Sequence, residues 1–294
     1  MWIRYTVHKR PGQDPKGSIW FTAFDARRGA PYMHKLTTDV VYAPPEAWIA
    51  IGDGNEFGPG WARGACGDGS WSLRFDSPES EVRHLAPGLL YRLPLPRTKL
   101  TSPMPGARFD GSVELSGRDS LGLGAWSGMV GHNWGSEHAE RWIWLHGIDF
   151  EGARDAWIDV ALGRLKVAGR MTPWLANGVL SLDGRRHRIG GPRVRAVHVA
   201  EHAGGCALRL PGEHGLMLEA EVEAPVGTAA GWRYADPDGG EHDVINCSVA
   251  ALELRVVRRE GEPARTLRTA HGAAYELGVR ERDHGVAIAS FSDR

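Results

Sequence analysis

The residues best equipped for chemistry are concentrated in one stretch, GMVGHNWGSEHAERWIWLHGIDF, residues 128–150. It carries His132, Asn133, Trp134, Glu137, His138, Trp142, Trp144, His146 and Asp149 within 18 positions. Glycines at 128, 131 and 135 frame the first polar group and permit sharp backbone turns. An imidazole or a carboxyl placed in a water-controlled apolar cavity can deliver a proton to a double bond. Indole faces stabilise the cation that results. The W-I-W strand sends Trp142 and Trp144 to one face, as a wall for a large apolar, unsaturated ligand requires. Candidate donors are therefore His132, Glu137, His138 and Asp149. Parity sets Asp149 opposite the indoles. In the next strand Asp155, Trp157 and Asp159 share a face, so two carboxylates there flank an indole.

Other chemistries find less support. His132, His138 and His146 do not form H-E-x-x-H or a facial triad, and no metal or cofactor is expected. G-x-S-x-G, G-x-G-x-x-G and G-x-x-x-x-G-K-[ST] are absent. Cys66, Cys206 and Cys247 are widely spaced and odd in number, which argues against a disulfide scaffold or zinc ribbon and predicts buried, unpaired thiols. Lys plus Arg total 35 against 36 Asp plus Glu. That balance excludes the basic excess expected of a nucleic-acid binder. No apolar run reaches the ~18 residues of a membrane span, and no apolar signal segment is visible at the start. A cytoplasmic location is expected.

The elements that must position these groups read as strands. Glycine numbers 39 and tryptophan 12 in 294 residues, a composition that disfavours helices and suits strands joined by tight turns. Period-2 alternation recurs. In WIRYTVH, Ile3 and Tyr5 oppose Arg4 and Thr6. In GLMLEAEVEA, Leu216, Leu218, Ala220 and Val222 oppose Met217, Glu219 and Glu221. Asp183-Gly184 predicts a type I′ hairpin turn. The one short helical candidate lies around Pro45-Glu46-Ala47. A boundary is expected near Gly190-Gly191-Pro192, because eleven of the twelve tryptophans precede it. The division expected is 1–190 and 191–294.

G-H-N-W-G followed by W-I-W resembles the signature of the AttH / carotenoid 1,2-hydratase / tocopherol cyclase-like superfamily. HGAAYELGVRE, residues 271–281, resembles the Gly-x-x-Tyr-x-Glu-like strand near the end of those proteins. YADPDGGEHDVINCSVAALELRV resembles the hairpin before it. The resemblance implies an all-β chain of two lipocalin-like (calycin) antiparallel β-barrel domains side by side. It implies a hydrophobic isoprenoid- or polyketide-like ligand and cofactor-free cyclisation, hydration or isomerisation. In that picture His132 or Glu137 donates the proton and Asn133 orients the ligand. Trp134, Trp142, Trp144, Trp157 and His146 line its cavity. The slot between the motif glycines differs, since His132-Asn133 stands where the hydratases and cyclases often carry an acidic or further aromatic residue. The fold therefore transfers and the particular reaction does not. Two other readings stand beside it: a non-catalytic lipid carrier, and a structural module whose barrels are filled by side chains.

Overall fold

The computed structural model describes residues 1–118, 120–258 and 263–291. Every long element is a strand, and the described residues contain no α-helix. Around Pro45 the chain makes a turn closed by Ala47 N–H to Pro44 O rather than the short helix expected there. Strands β1 (Trp2–His8), β2 (Lys16–Asp25) and β3 (Gly29–Thr38) form a small antiparallel sheet with β2 in the middle. A curled eight-stranded half-barrel follows. It uses β4 (Val41–Tyr42), β5 (Ile49–Ile51), β6 (Asn55–Gly58), β7 (Trp61–Cys66), β8 (Gly69–Asp76), β9 (Val82–Arg83), β10 (Thr98–Leu115) and β11 (Leu121–Gly135). The long β10–β11 hairpin puts β11 on its edge, and β9 pairs with β10.

The third sheet begins with β12 (Arg141–Gly147) and β13 (Trp157–Arg164). A separate ribbon of β14 (Lys166–Val167) and β15 (Arg170–Met171) interrupts it. It continues with β16 (Leu175–Leu182), β17 (Arg185–Gly190), β18 (His198–His202), β19 (Gly205–Pro211), β20 (Met217–Glu223), β21 (Ala230–Ala235), β22 (Glu241–Val257) and β23 (Arg265–Val279). Its strand order is β17-β16-β13-β12-β23-β22-β20-β19-β18, with β21 on β22. Residue 190 thus ends β17 inside one continuous sheet, which joins residues 141–190 to the later strands. An Ile189–Gly212 bridge links the β17 edge to the β19 side, so the sheet curls round on itself.

The alternation read from the sequence sets which face each residue takes. Leu216, Leu218, Ala220 and Val222 are all buried in the large-sheet core. Asp183 and Gly184 both adopt positive φ in the β16–β17 turn, as a type I′ hairpin needs. The inside of the large sheet is packed with aliphatic side chains, among them Ile143, Leu145, Ile158, Val160, Leu252 and Leu277. Its one large polar member, Tyr275, donates its hydroxyl to the carbonyls of His202 and Gly205. Cys66, Cys206 and Cys247 are buried and unpaired.

The middle strand of the small sheet, β2, is buried on both faces. Ile19 and Phe21 enter the half-barrel core with Trp71, Leu73 and Phe75. Trp20, one residue out of phase, meets Trp232 at 5.1 Å and Tyr234 at 5.4 Å on β21. β1 repeats the division. Tyr5 accepts the indole N–H of Trp71, while the Arg4 guanidinium lies 4.4 Å over the Tyr234 ring. The small sheet is therefore the layer between the half-barrel and the large sheet.

One close approach fixes a side chain facing that layer. Trp142 lies directly on Gly278 of β23, where an added Cβ would meet the indole at 2.2 Å. Overpacking of this kind costs about 1–3 kcal/mol. Gly278→Ala is expected to lower the urea unfolding free energy by that amount at an unchanged denaturant slope. Equilibrium unfolding followed by tryptophan fluorescence checks this; wild-type stability in the variant would contradict it.

Candidate functional site

On β12 the odd positions Ile143 and Leu145 point into the filled core, so Trp142, Trp144 and His146 take the opposite face. Register aligns neighbours across that face. His146 stands opposite Asp159, which stands opposite Val179 and then Arg188. Trp144 stands opposite Glu276, and Glu276 opposite Asn246. A polar and aromatic layer results, covered in part by β9, β10 and the segment joining them.

Asp159 in this layer has no exposed surface. Ser102 Oγ–H of β10 donates to its Oδ2, and Trp144 Nε1–H donates to Oδ1 at 2.9 Å. His84 Nε2 lies 3.2 Å from Oδ2 and 3.1 Å from Ser102 Oγ. His84 Nδ1 faces the Asn177 carbonyl at 3.4 Å. A carbonyl only accepts, so Nδ1 is the donor there. Burial works against the Asp159 charge, yet His84, His146 and the Ser102 hydroxyl hold its carboxyl well below the usual carboxylate range. The order of groups differs from a nucleophilic triad, in which histidine stands between serine and aspartate. The Ser102 hydroxyl donates its hydrogen bond to Asp159 rather than to a histidine base, so its oxygen is not activated.

His146 sits 3.9 Å from Asp159, and neither ring nitrogen has a hydrogen-bond partner among the described residues. Burial pushes its pKa down. Glu276, half-buried, is held by three donors. Trp142 Nε1–H reaches Oε1 at 2.9 Å, while Asn246 Nδ2–H (3.4 Å) and the Tyr234 hydroxyl (3.5 Å) reach Oε2. Trp144 thus stands between two carboxylates, Asp159 bonded to its nitrogen and Glu276 across from it on β23. Beside this layer Trp157 is buried with Val82 and Val179, and its Nε1–H donates to Glu79. A cleft of about 310 Å³ lined by Val82, Arg83, Val179, Arg186 and Arg188 opens next to it.

Several expected placements are corrected by these positions. His132, Asn133 and Trp134 lie on the edge strand β11 and face solvent; Trp134 is 42% exposed. Their order comes from stacking: His132 lies 4.9 Å from Trp134, and Tyr91 5.9 Å from Trp134. Glu137 is tied to Arg97. His132, Asn133 and Glu137 therefore do not converge on a cavity. Trp142, Trp144, Trp157 and His146 do share one face, but it lies outside the filled interior rather than inside a barrel. Asp155 is exposed near Arg108, and Asp149 bonds Ser127 at the surface. The sequence reading passed over His84, Ser102 and Glu276. Glu276 was within reach of parity, since Tyr275 beside it reads as core.

A second cluster lies farther along the same layer. His138, in the link between β11 and β12, stacks on Trp142 at 5.1 Å and bonds Asp236. His242 of β22 lies 3.7 Å from the other Asp236 oxygen. Burial, aided by Arg280, pushes His242 down to about 4.

No family model and no curated protein matches the chain. Among solved structures it is similar to kievitone hydratase from Nectria haematococca, with a TM-score of 0.51 at 7% identity over 96% of this chain and 88% of that one. At that identity the likeness establishes the fold: an all-β chain in which a curled antiparallel half-barrel stands beside a second large antiparallel sheet. No helix among the described residues is long and apolar enough to cross a membrane.

The buried histidines make stability depend on pH. His146 stays neutral when folded, whereas unfolding frees it to bind a proton below the ordinary value of about 6.5. The unfolded state then holds more protons, so stability falls as pH falls. His242 extends that loss down to about 4. Urea midpoints measured from pH 7 to pH 4 should decline in wild type and decline less steeply in His146→Gln. Identical slopes would overturn the assignment.

Proposed function

We propose that the layer between the sheets binds an apolar, unsaturated small molecule against Trp142 and Trp144 and performs cofactor-free acid–base chemistry on it. Addition of water to a double bond is the favoured reaction. Cyclisation or isomerisation of an isoprenoid-like chain uses the same first step. The observation that carries this reading is the indole of Trp144 flanked by Asp159 and Glu276 on an otherwise enclosed face. An ionised Asp159 and two indole faces supply negative potential for a developing cation. Glu276 is half-buried and is therefore the carboxyl assigned to exchange a proton with ligand or water. His146 offers unpaired nitrogens close by. The likeness to a hydratase fold and the G-H-N-W-G and W-I-W resemblance support the same class of ligand. A fold alone does not name a reaction, so the proposal stands on the site.

A second reading has its own support. The filled interior of the large sheet is the property expected of a structural module. Binding and turnover separate the two. The purified chain is titrated with isoprenoid alcohols and polyenes while tryptophan fluorescence is recorded. Conversion is then followed by mass spectrometry in water enriched in oxygen-18. The expected result is quenching in the wild type and turnover reduced about 10²–10⁴-fold in Glu276→Gln, the range of a lost general acid–base group. Binding should persist in that variant. Oxygen-18 in the product marks hydration, and conversion without it marks cyclisation or isomerisation. Quenching without any conversion would make the protein a carrier, and no quenching with any probe would favour the structural module. Unchanged turnover in Glu276→Gln would remove that residue from the mechanism.

A further inference from the structure

From the second cluster we infer that His138, Asp236 and His242 form a binding site for a divalent transition-metal ion, zinc being the best fit. One ligand atom from each lies within 4.8 Å of the other two. The three come from separate parts of the chain: the β11–β12 link, the end of β21 and the start of β22. Asp236 and His242 are 1% and 0% exposed, yet Asp236 Oδ2 and both nitrogens of His242 have no hydrogen-bond partner among the described residues. Buried polar atoms are nearly always paired, and leaving one unpaired costs about 1–3 kcal/mol. Asp236 Oδ2 and the His242 Nδ1 facing it, both buried and unpaired, point to a ligand that accepts lone pairs.

Two imidazoles and a carboxylate are the donor types zinc takes when it keeps an open fourth position. With bonds of about 2.0–2.2 Å, neighbouring ligand atoms around a tetrahedral zinc stand roughly 3.3–3.6 Å apart. The 3.7 Å from His242 Nδ1 to Asp236 Oδ2 is close to that spacing. His138 Nδ1 is 2.5 Å from Asp236 Oδ1 through a hydrogen bond, so that pair opens by about 1 Å as the ion replaces the shared proton. The His138 backbone N–H, 2.9 Å from the same oxygen, orients the carboxylate from outside the site. Arg280 is the opposing charge, and Glu140 offsets it through a 2.6 Å bond to its Nε. His138, 21% exposed, leaves solvent access to the fourth position. The site is independent of the acid–base reading above. Its metal would clamp the link between β11 and β12 onto the β21–β22 hairpin.

Chelator-treated full-length chain is titrated with cobalt(II), followed by optical absorption, and with zinc, followed by calorimetry and elemental analysis. One ion per chain is expected, with intense visible cobalt bands of a four-coordinate site and a zinc-dependent rise in melting temperature. His242→Gln is expected to weaken zinc binding at least 100-fold. His138→Gln, at a partly exposed position, serves as the variant that keeps the fold, checked by circular dichroism, and should remove the cobalt bands. Absence of cobalt bands in the wild type would overturn the inference. So would zinc binding equal in wild type and both folded variants.

Discussion

A strand offers each side chain one of two faces, and along β12, β13 and β23 the chain buries both. One face closes on a hydrocarbon interior. The other meets the small sheet and the β9–β10 part of the half-barrel. Any polar residue on that second face loses water and must find a partner within the protein. Asp159, Trp144, Trp142 and Glu276 answer this by bonding to one another. The indoles serve well here because each brings apolar area together with a single N–H donor. Trp144 directs its donor to Asp159 and Trp142 to Glu276. The same constraint sets where the polar groups go: with aliphatic side chains filling the interior, the chemistry has only the outer face to occupy.

Local signals carried the fold a long way. Alternation in WIRYTVH and GLMLEAEVEA assigned faces that the structure keeps, and Asp183-Gly184 marked its hairpin. What alternation does not carry is the partner of each face. The pattern at 142–146 separates Trp142 and Trp144 from Ile143 and Leu145, but it does not say which set meets the interior. Aliphatic residues pack a closed sheet without unmet donors, and that decides the matter for Ile143 and Leu145. The division at 190 rested on tryptophan density. Density says nothing about pairing between distant strands, and β12 pairs with β23 near the far end of the sequence.

Site residues were readable in proportion to their dependence on one strand. Trp142, Trp144, Trp157 and His146 belong to adjacent strands, and a period-2 reading places them on one face. Asp159 enters with Trp157 for the same reason. His84 and Ser102 reach Asp159 across 75 and 57 positions of sequence, from β10 and the segment before it, and no local pattern marks them. The glycine-framed His132-Asn133-Trp134 drew attention by composition. Its surroundings are set by β11 being an edge, which depends on strand order rather than on neighbours in sequence.

Distance in sequence also gives the Asp159 cluster its consequence. A carboxylate removed from water costs several kcal/mol unless it is bonded, and each bond to a charged group returns about 1.5–3 kcal/mol. Trp144 comes from the same sheet as Asp159, whereas Ser102 and His84 come from the half-barrel. Separating the half-barrel from the large sheet would leave Asp159 with one of its three close partners. The charge at the centre of the layer thus couples the packing of the two bodies to the electrostatics of the site. Trp144 and Glu276 keep their separation through β12–β23 register, while docking of the half-barrel completes the bonds on Asp159 beside them. The filled sheet interior then has a role of its own: it gives β12 and β23 a rigid back, against which the indoles and carboxylates keep their register.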